Sequence, residues 1–260
     1  MDFGIDGKYA LVTGGSHGIG RSIAAMLAGE GCNVAICSRK KEWIDETVAE
    51  ITAKGVKSIG ISADVLKPDD IDRAAKALLE AWGTVHILVN NVGGGGRWGS
   101  EIYEETADDV WTDVYKKNAL AAARFTMRLI PSMRKQKWGR VVTISSISGK
   151  EGGVRPWFGM AKCAEISLMK SLATSAYLVR DGITFNSVAP GAIEVPGTGW
   201  EKERLSDPEG FKTMVESHFP LGRLGTPEEV ASAVVFLCSE KASLINGACI
   251  TVDGGESRSL

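Results

Sequence analysis

Seven short apolar, β-branched runs recur along this chain, separated by longer segments in which apolar residues return at helical spacing. The runs are Tyr9–Thr13, Val34–Ser38, Ser58–Ala63, His86–Asn90, Arg140–Ser145, Thr184–Ala189 and Ala248–Val252. The helical segments are Gly18–Glu30, Lys41–Lys54, Pro68–Trp82, Asp108–Gln136, Phe158–Arg180 and Pro227–Glu240. The last opens with Thr226-Pro227-Glu228-Glu229, a capping box with proline at the first helical position. Strands that alternate with helices favour parallel pairing, because each helix returns the chain to the edge from which the strand began. Runs with no polar face belong in a sheet covered on both sides. The expected fold is therefore α/β, a single doubly wound domain over residues 1–260 with a seven-stranded parallel sheet and helices on both faces.

No internal repeat or interdomain linker interrupts the winding, and 260 residues suit one core. The stretch 194–220 is the exception. It holds Pro196, Gly197, Gly199, Trp200, Phe211, Met214 and Phe219 between a strand and the next helix, which is long for such a connection. A substrate lid is expected there, with a surface excursion bearing its own small core as the alternative.

A net charge of −2 gives no electrostatic reason to expect nucleic acid or an anionic membrane as partner. No apolar run approaches the ~18 residues that span a bilayer. Residues Met1 to Asp6 lack the basic and apolar regions of a signal peptide, so a cytoplasmic location is expected. Cys32, Cys37, Cys163, Cys238 and Cys249 show no metal-ligand spacing; they read as small buried hydrophobes, and no metal is expected.

Thr13-Gly14-Gly15-Ser16-His17-Gly18-Ile19-Gly20 follows the first strand and opens the first helix. At such a turn missing side chains let backbone approach a pyrophosphate, and the helix N-terminus offers free N–H groups and the positive end of its dipole. Sites that select NAD carry an acidic residue after the second strand, whereas an arginine there accommodates a 2′-phosphate. Here the strand ends Ser38-Arg39-Lys40, with His17 in the glycine loop, so NADP(H) is the expected cofactor. The alternative is that Arg39 and Lys40 merely begin a solvated helix.

These residues, with others along the whole chain, resemble the short-chain dehydrogenase/reductase family and, within it, the 3-oxoacyl-carrier-protein reductase group. The glycine loop, including Gly14, Ser16, Gly18, Ile19 and Gly20, is similar to the family's TGxxxGIG motif. Asp64-Val65 resembles the pair that contacts adenine, and Asn90-Asn91-Val92-Gly93 resembles the NNAG element. Asn118 matches the family's structural and proton-relay asparagine, Ser146 its catalytic serine, and Pro190-Gly191-Ala192-Ile193 the segment facing the nicotinamide. Val252-Asp253-Gly254-Gly255 matches the C-terminal element. The resemblance implies a Rossmann-like fold and a homotetramer, with the Asp108–Gln136 and Phe158–Arg180 helices at one interface. In its chemistry serine holds the substrate oxygen, tyrosine moves the proton, and lysine holds the ribose and lowers the tyrosine pKa.

One departure matters most. The family motif is YxxxK; Lys162 supplies the lysine, and four residues before it stands Phe158. Tyr103, Tyr115 and Tyr177 cannot be assigned the role from spacing. Two accounts fit: a natural member that moves the proton differently or not at all, or a chain in which tyrosine was changed to phenylalanine to trap a complex. Val195 also departs from the threonine often present there, and Gly94-Gly95-Gly96-Arg97-Trp98 lengthens the following loop. The expected activity is ketone–alcohol interconversion on a small-molecule carbonyl or alcohol, impaired by Phe158. A catalytically silent nucleotide binder and a dehydratase or epimerase without net redox are the alternatives. Trp98, Trp157, Trp200, Phe211, Met214 and Phe219 suggest an apolar-lined pocket, and Lys137 with Arg180 is a candidate docking surface for an acyl carrier.

Overall fold

A computed structural model describes residues 2–259. Its sheet has the seven expected strands, all parallel: β1 (Tyr9–Thr13), β2 (Asn33–Ser38), β3 (Ser58–Ser62), β4 (Ile87–Asn90), β5 (Gly139–Ile144), β6 (Ile183–Pro190) and β7 (Cys249–Val252). The order across the sheet is β3-β2-β1-β4-β5-β6-β7. Winding runs outward from β1 in one direction and from β4 in the other, so these two neighbours leave diverging connections and a crevice at their carboxyl ends. Neighbouring positions of β1 face opposite ways: Ala10 and Val12 pack into one half of the core and Leu11 into the other. The first half lies under α1 (Gly18–Gly29), α2 (Lys41–Thr52) and α10 (Pro227–Leu237), and the second under α3 (Pro68–Trp82), α5 (Ala121–Gln136) and α6 (Pro156–Ala173).

Two expected helices and the 194–220 stretch differ in form. The segment Asp108–Gln136 is α4 (Asp108–Tyr115), a π-helical turn (Lys116–Leu120) and then α5. The segment Phe158–Arg180 starts two residues earlier, with Pro156 in its first turn, and ends at Ala173; a separate short α7 (Ala176–Val179) follows. The 194–220 stretch is not structureless: it folds as α8 (Gly199–Ser206) and α9 (Pro208–His218). Trp200, Phe211, Met214, Val215 and Phe219 pack there with Leu224 into a small core of their own. The capping box is present, with Thr226 Oγ1 accepting from Glu229 N at 3.3 Å and Glu229 Oε2 accepting from Thr226 N at 2.9 Å.

One expectation is corrected. Lys137 and Arg180 lie just before β5 and β6, at the amino edge of a parallel sheet and therefore opposite the site, and Lys137 with Arg134 is ion-paired to Asp181. On α6, Leu168, Met169, Leu172 and Ala173 pack on the core beneath them.

At the amino edge His86 lies between the rings of Tyr9 and Trp138, and its Nδ1 accepts from Tyr9 N at 3.1 Å. Burial, then the charge of Lys8, lowers its pKa from 6.5 to about 4. Because the unfolded chain takes up this proton first, the contribution of neutral His86 is full above pH 6.5 and is lost as the pH falls to about 4. The urea midpoint is expected to drop across that window, and more steeply than in His86→Asn, whose amide oxygen can accept from Tyr9 N without titrating. Equal slopes for the two proteins would refute the assignment.

Candidate active site

The glycine loop leaves β1 through Gly14, whose φ is +65° and whose N–H donates to Cys37 O at 2.8 Å. A β-carbon at Gly20 would lie 2.3 Å from Gly14 O and 2.4 Å from Asn91 Nδ2, so only glycine lets the helix start pass this close to the loop. Gly18 turns at φ +51° against Val195, whose methyl would stand 2.9 Å from a β-carbon there. The N-cap residue of α1, His17, makes no side-chain cap, and Ser16 is buried behind it. The first turn of α1 thus presents backbone N–H groups without a side-chain acceptor, which is the donor set a phosphate requires.

A cavity of about 290 Å³ runs from this loop across the ends of β2, β3 and β4. Gly14, Ser16, His17, Arg39, Lys40, Asp64, Val65, Asn91 and Gly93 all line it, so nine residues expected to hold the dinucleotide come together in one place. Arg39 and Lys40 are exposed at its rim. Asn91 is engaged with the loop itself: its Nδ2 donates to Thr13 O at 3.0 Å and Gly14 O at 3.2 Å. His17 stacks on Trp43 with ring centroids 4.8 Å apart, and its Nε2 lies 3.0 Å from Pro196 O, linking the glycine loop to the 194–220 segment.

Trp43 and Lys117 also line this cavity and were not singled out from the sequence. Trp43, with Lys40 Nζ 3.7 Å from its ring centre, forms one wall. Lys117, in the π-helical turn, and Trp98 form another, with Lys117 Nζ 4.8 Å from the Trp98 ring centre. Burial, reinforced by Arg39, lowers the Lys117 pKa. Trp43 and Lys117 sit within ordinary helical pattern, and no local signal marks them.

A second cavity of about 340 Å³ adjoins the ends of β5 and β6. Ser146, Phe158, Ile19, Pro190, Gly191 and Ile193 line it, with Arg97, Thr198 and Trp200 closing the outer side. Arg97 is ion-paired to Glu203 of α8 at 2.7 Å and lies over the Trp200 ring, so the lengthened glycine loop touches the 194–220 segment. Ser146 Oγ accepts from Ser148 N at 3.1 Å and lies the same distance from Ser148 Oγ, a local turn that fixes its side chain. Ser145, its neighbour, donates to Lys162 O at 2.8 Å and ties α6 to the end of β5. Gly191 donates to Val252 O, and Glu256 Oε2 accepts from Ala192 N at 2.6 Å, which brings the C-terminal element against this segment. Val195 is buried against Gly18 and lines this second cavity.

Between the cavities lie Asn118 and Lys162. Asn118 is fully buried in the π-helical turn; its Oδ1 accepts from Gly94 N at 3.1 Å, and its Nδ2 donates to Gly94 O and Val114 O at 2.9 Å and 2.7 Å. Lys162 Nζ donates to Ile144 O at 3.0 Å and to Glu165 Oε2 at 2.9 Å, and lies 5.7 Å from the Phe158 ring centre. Phe158 and Lys162 share one face of α6, as four-residue spacing requires. None of the chain's four tyrosines lines either cavity. Tyr9 stacks on Trp82, Tyr103 edges Trp157, Tyr115 packs beside Val114 and Trp157, and Tyr177 is exposed under Arg134.

Residues 14–257 match the family described as enoyl-(acyl carrier protein) reductase. A 3-oxoacyl-[acyl-carrier-protein] reductase of Aquifex aeolicus is 37% identical over 257 residues, covering 98% of this chain and 99% of its own length. L-sorbose reductase of Gluconobacter frateurii, solved with NADPH and L-sorbose, superposes with a TM-score of 0.92 at 32% identity over 100% of both chains. The NADP active-site complex of RhlG of Pseudomonas aeruginosa gives 0.88 at 31% identity over 98% of each. With sequence relatives and solved neighbours agreeing along the whole length, the chain belongs to the short-chain dehydrogenase/reductase family.

Proposed function

We propose that this chain is an NADP(H)-dependent oxidoreductase that interconverts a ketone and a secondary alcohol, with its proton transfer impaired by Phe158. The observation that carries the reading is that two cavities lie at the carboxyl ends of the strands, with Lys162 Nζ near Gly93 of one and the Phe158 ring of the other. The fit to a dinucleotide rests on the glycine cradle, where a β-carbon at Gly20 would meet backbone, and on the uncapped first turn of α1. Relatives named for reduction of a 3-oxoacyl group and of L-sorbose support a carbonyl substrate. Among the described residues no helix is long and apolar enough to cross a membrane.

In this reading Arg39 and Lys40 receive the 2′-phosphate, with Asp64 and Val65 beside the adenine, and the glycine loop takes the pyrophosphate on its backbone N–H groups. Lys162 holds the nicotinamide ribose; Pro190, Gly191 and Ile193 form the wall against the nicotinamide. The bound cofactor supplies the hydride. Ser146 donates its hydroxyl proton in a hydrogen bond to the substrate oxygen. Phe158 excludes water from that oxygen but has no proton to give it. The segment at 194–220 serves as the lid over the second cavity. We also read the exposed Met127 on α5 and Met160 on α6 as part of faces where copies of the chain meet in a homotetramer.

Three outcomes test this. Arg39→Asp is expected to reverse the preference for NADPH over NADH in a fluorescence titration, because the bidentate phosphate contact is replaced by repulsion; equal affinity of the unsubstituted protein for the two would reject the assignment. Phe158→Tyr is expected to raise NADPH-dependent reduction of a ketone panel by ~10²–10⁴-fold, the usual value of a positioned general acid, while NADPH affinity stays within about twofold. Brisk turnover without the substitution, unimproved by it, would assign the proton to another group, and binding without turnover in both forms would favour the silent binder. Light scattering at micromolar concentration is expected to give a mass near four chains of 27.7 kDa; a monomer rejects the interface.

A further inference from the structure

Glu165 is the least exposed carboxylate around the site, at 1% of its surface, and it was not among the residues singled out from the sequence. It stands one helical turn beyond Lys162 on α6, so the two side chains share a face, and Lys162 itself is only 4% exposed. An ammonium has three protons to donate. One goes to Ile144 O and one to Glu165 Oε2, which leaves a single donor for anything bound in the cleft. That side is open because residue 93 is glycine: a β-carbon there would lie 3.0 Å from Lys162 Nζ and 2.6 Å from Asn118 Oδ1.

We propose that Glu165 is a positioning residue that fixes the Lys162 ammonium against the end of β5 and offsets its charge, leaving a site set to bind the dinucleotide's ribose rather than to acidify a phenol at position 158. The inference rests on the reading of this cleft as a dinucleotide site. The Ile144 carbonyl and the Glu165 carboxylate both accept from the ammonium and hold it at the end of β5. The same carboxylate weakens the lysine's action on its other neighbours. A cation within ~4–6 Å lowers an acid's pKa by about 1–3 units, and the Phe158 ring lies 5.7 Å from Nζ. An anion 2.9 Å from that cation opposes this effect. Burial pushes the Glu165 carboxyl up to about 7, held from rising further by Lys162, the one charged group among the described residues that acts on it. Lys117, from the π-helical turn packed against α6, is the further charge that senses Lys162. Phenylalanine at position 158 and glutamate at 165 are thus consistent choices: where no phenol has to ionise, a carboxylate beside the lysine sacrifices nothing.

The test reads the phenol directly and needs no substrate. In Phe158→Tyr with ring-¹³C tyrosine, the resonance absent from the unsubstituted protein is followed by NMR through its titration. Its pKa is expected at or above the ordinary value of ~10. Adding Glu165→Gln, or Glu165→Met should the glutamine form not fold, is expected to lower it by about one unit or more. An unchanged pKa in the double variant overturns the proposal, and so does a phenol already lowered by more than a unit with Glu165 in place, a result that needs no second substitution to fold. NADPH affinity measured on the same samples separates this from the functional reading. Loss of binding in the unsubstituted protein sinks the dinucleotide site, whereas binding with an immobile phenol pKa sinks the role of Glu165 alone.

Discussion

The seam between β1 and β4 is the feature on which the remaining architecture depends. These two strands are neighbours in the sheet but lead to windings that run in opposite directions, so their carboxyl ends are left uncovered. Thr13 Oγ1 closes the seam by accepting from Asn91 N at 2.9 Å and Val92 N at 3.1 Å, and Asn91 returns its amide to the Thr13 and Gly14 carbonyls. Four hydrogen bonds across one strand pair therefore set the distance between the glycine loop and the loop that begins at Gly93. Everything that reaches into the cleft is measured from that distance.

The site is built in two halves with different physics. The half under β2, β3 and β4 is cationic and aromatic: Arg39, Lys40 and Lys117 stand among Trp43 and Trp98, with two of the ammonium groups over rings. Such walls accept a flat base and a dianion together. The half under β5 and β6 is mostly apolar, and its polar groups are either held by local turns, as Ser146 is, or tied to α8, as Arg97 is through Glu203. Lys162 belongs to neither half. It is anchored by α6, β5 and Glu165, and its surroundings show how a motif residue can be kept while its electrostatic effect on a neighbour is reduced.

Much of the fold and much of the site were legible because both are written in local terms. Strand runs are short and apolar on both faces, and all seven were found to within about a residue of their ends. The cradle residues announce themselves through glycine spacing at a strand-to-helix turn. What was not legible depends on non-local packing. The π-helical turn that inserts Asn118 between the cavities has no pattern of its own, since its residues continue an ordinary helical period. Lys137 and Arg180 looked close to the site only because the direction of their strands was not applied to them.

The sequence by itself determined the winding, the glycine cradle, the basic residues after β2, and the phenylalanine four residues before Lys162, because each is a property of residue type at a position fixed by neighbours in the chain. The tertiary structure alone decided the rest. It turned 194–220 into two helices with their own small core, and it set Trp43 against His17. It also buried Glu165 beside Lys162, a pairing whose meaning lies in desolvation. An i,i+3 glutamate and lysine on a helix is in most proteins a solvated pair worth little. Here the same two residues carry a buried charge pair at the centre of the site, and only the packing of α6 on β5 and β6 distinguishes the two cases.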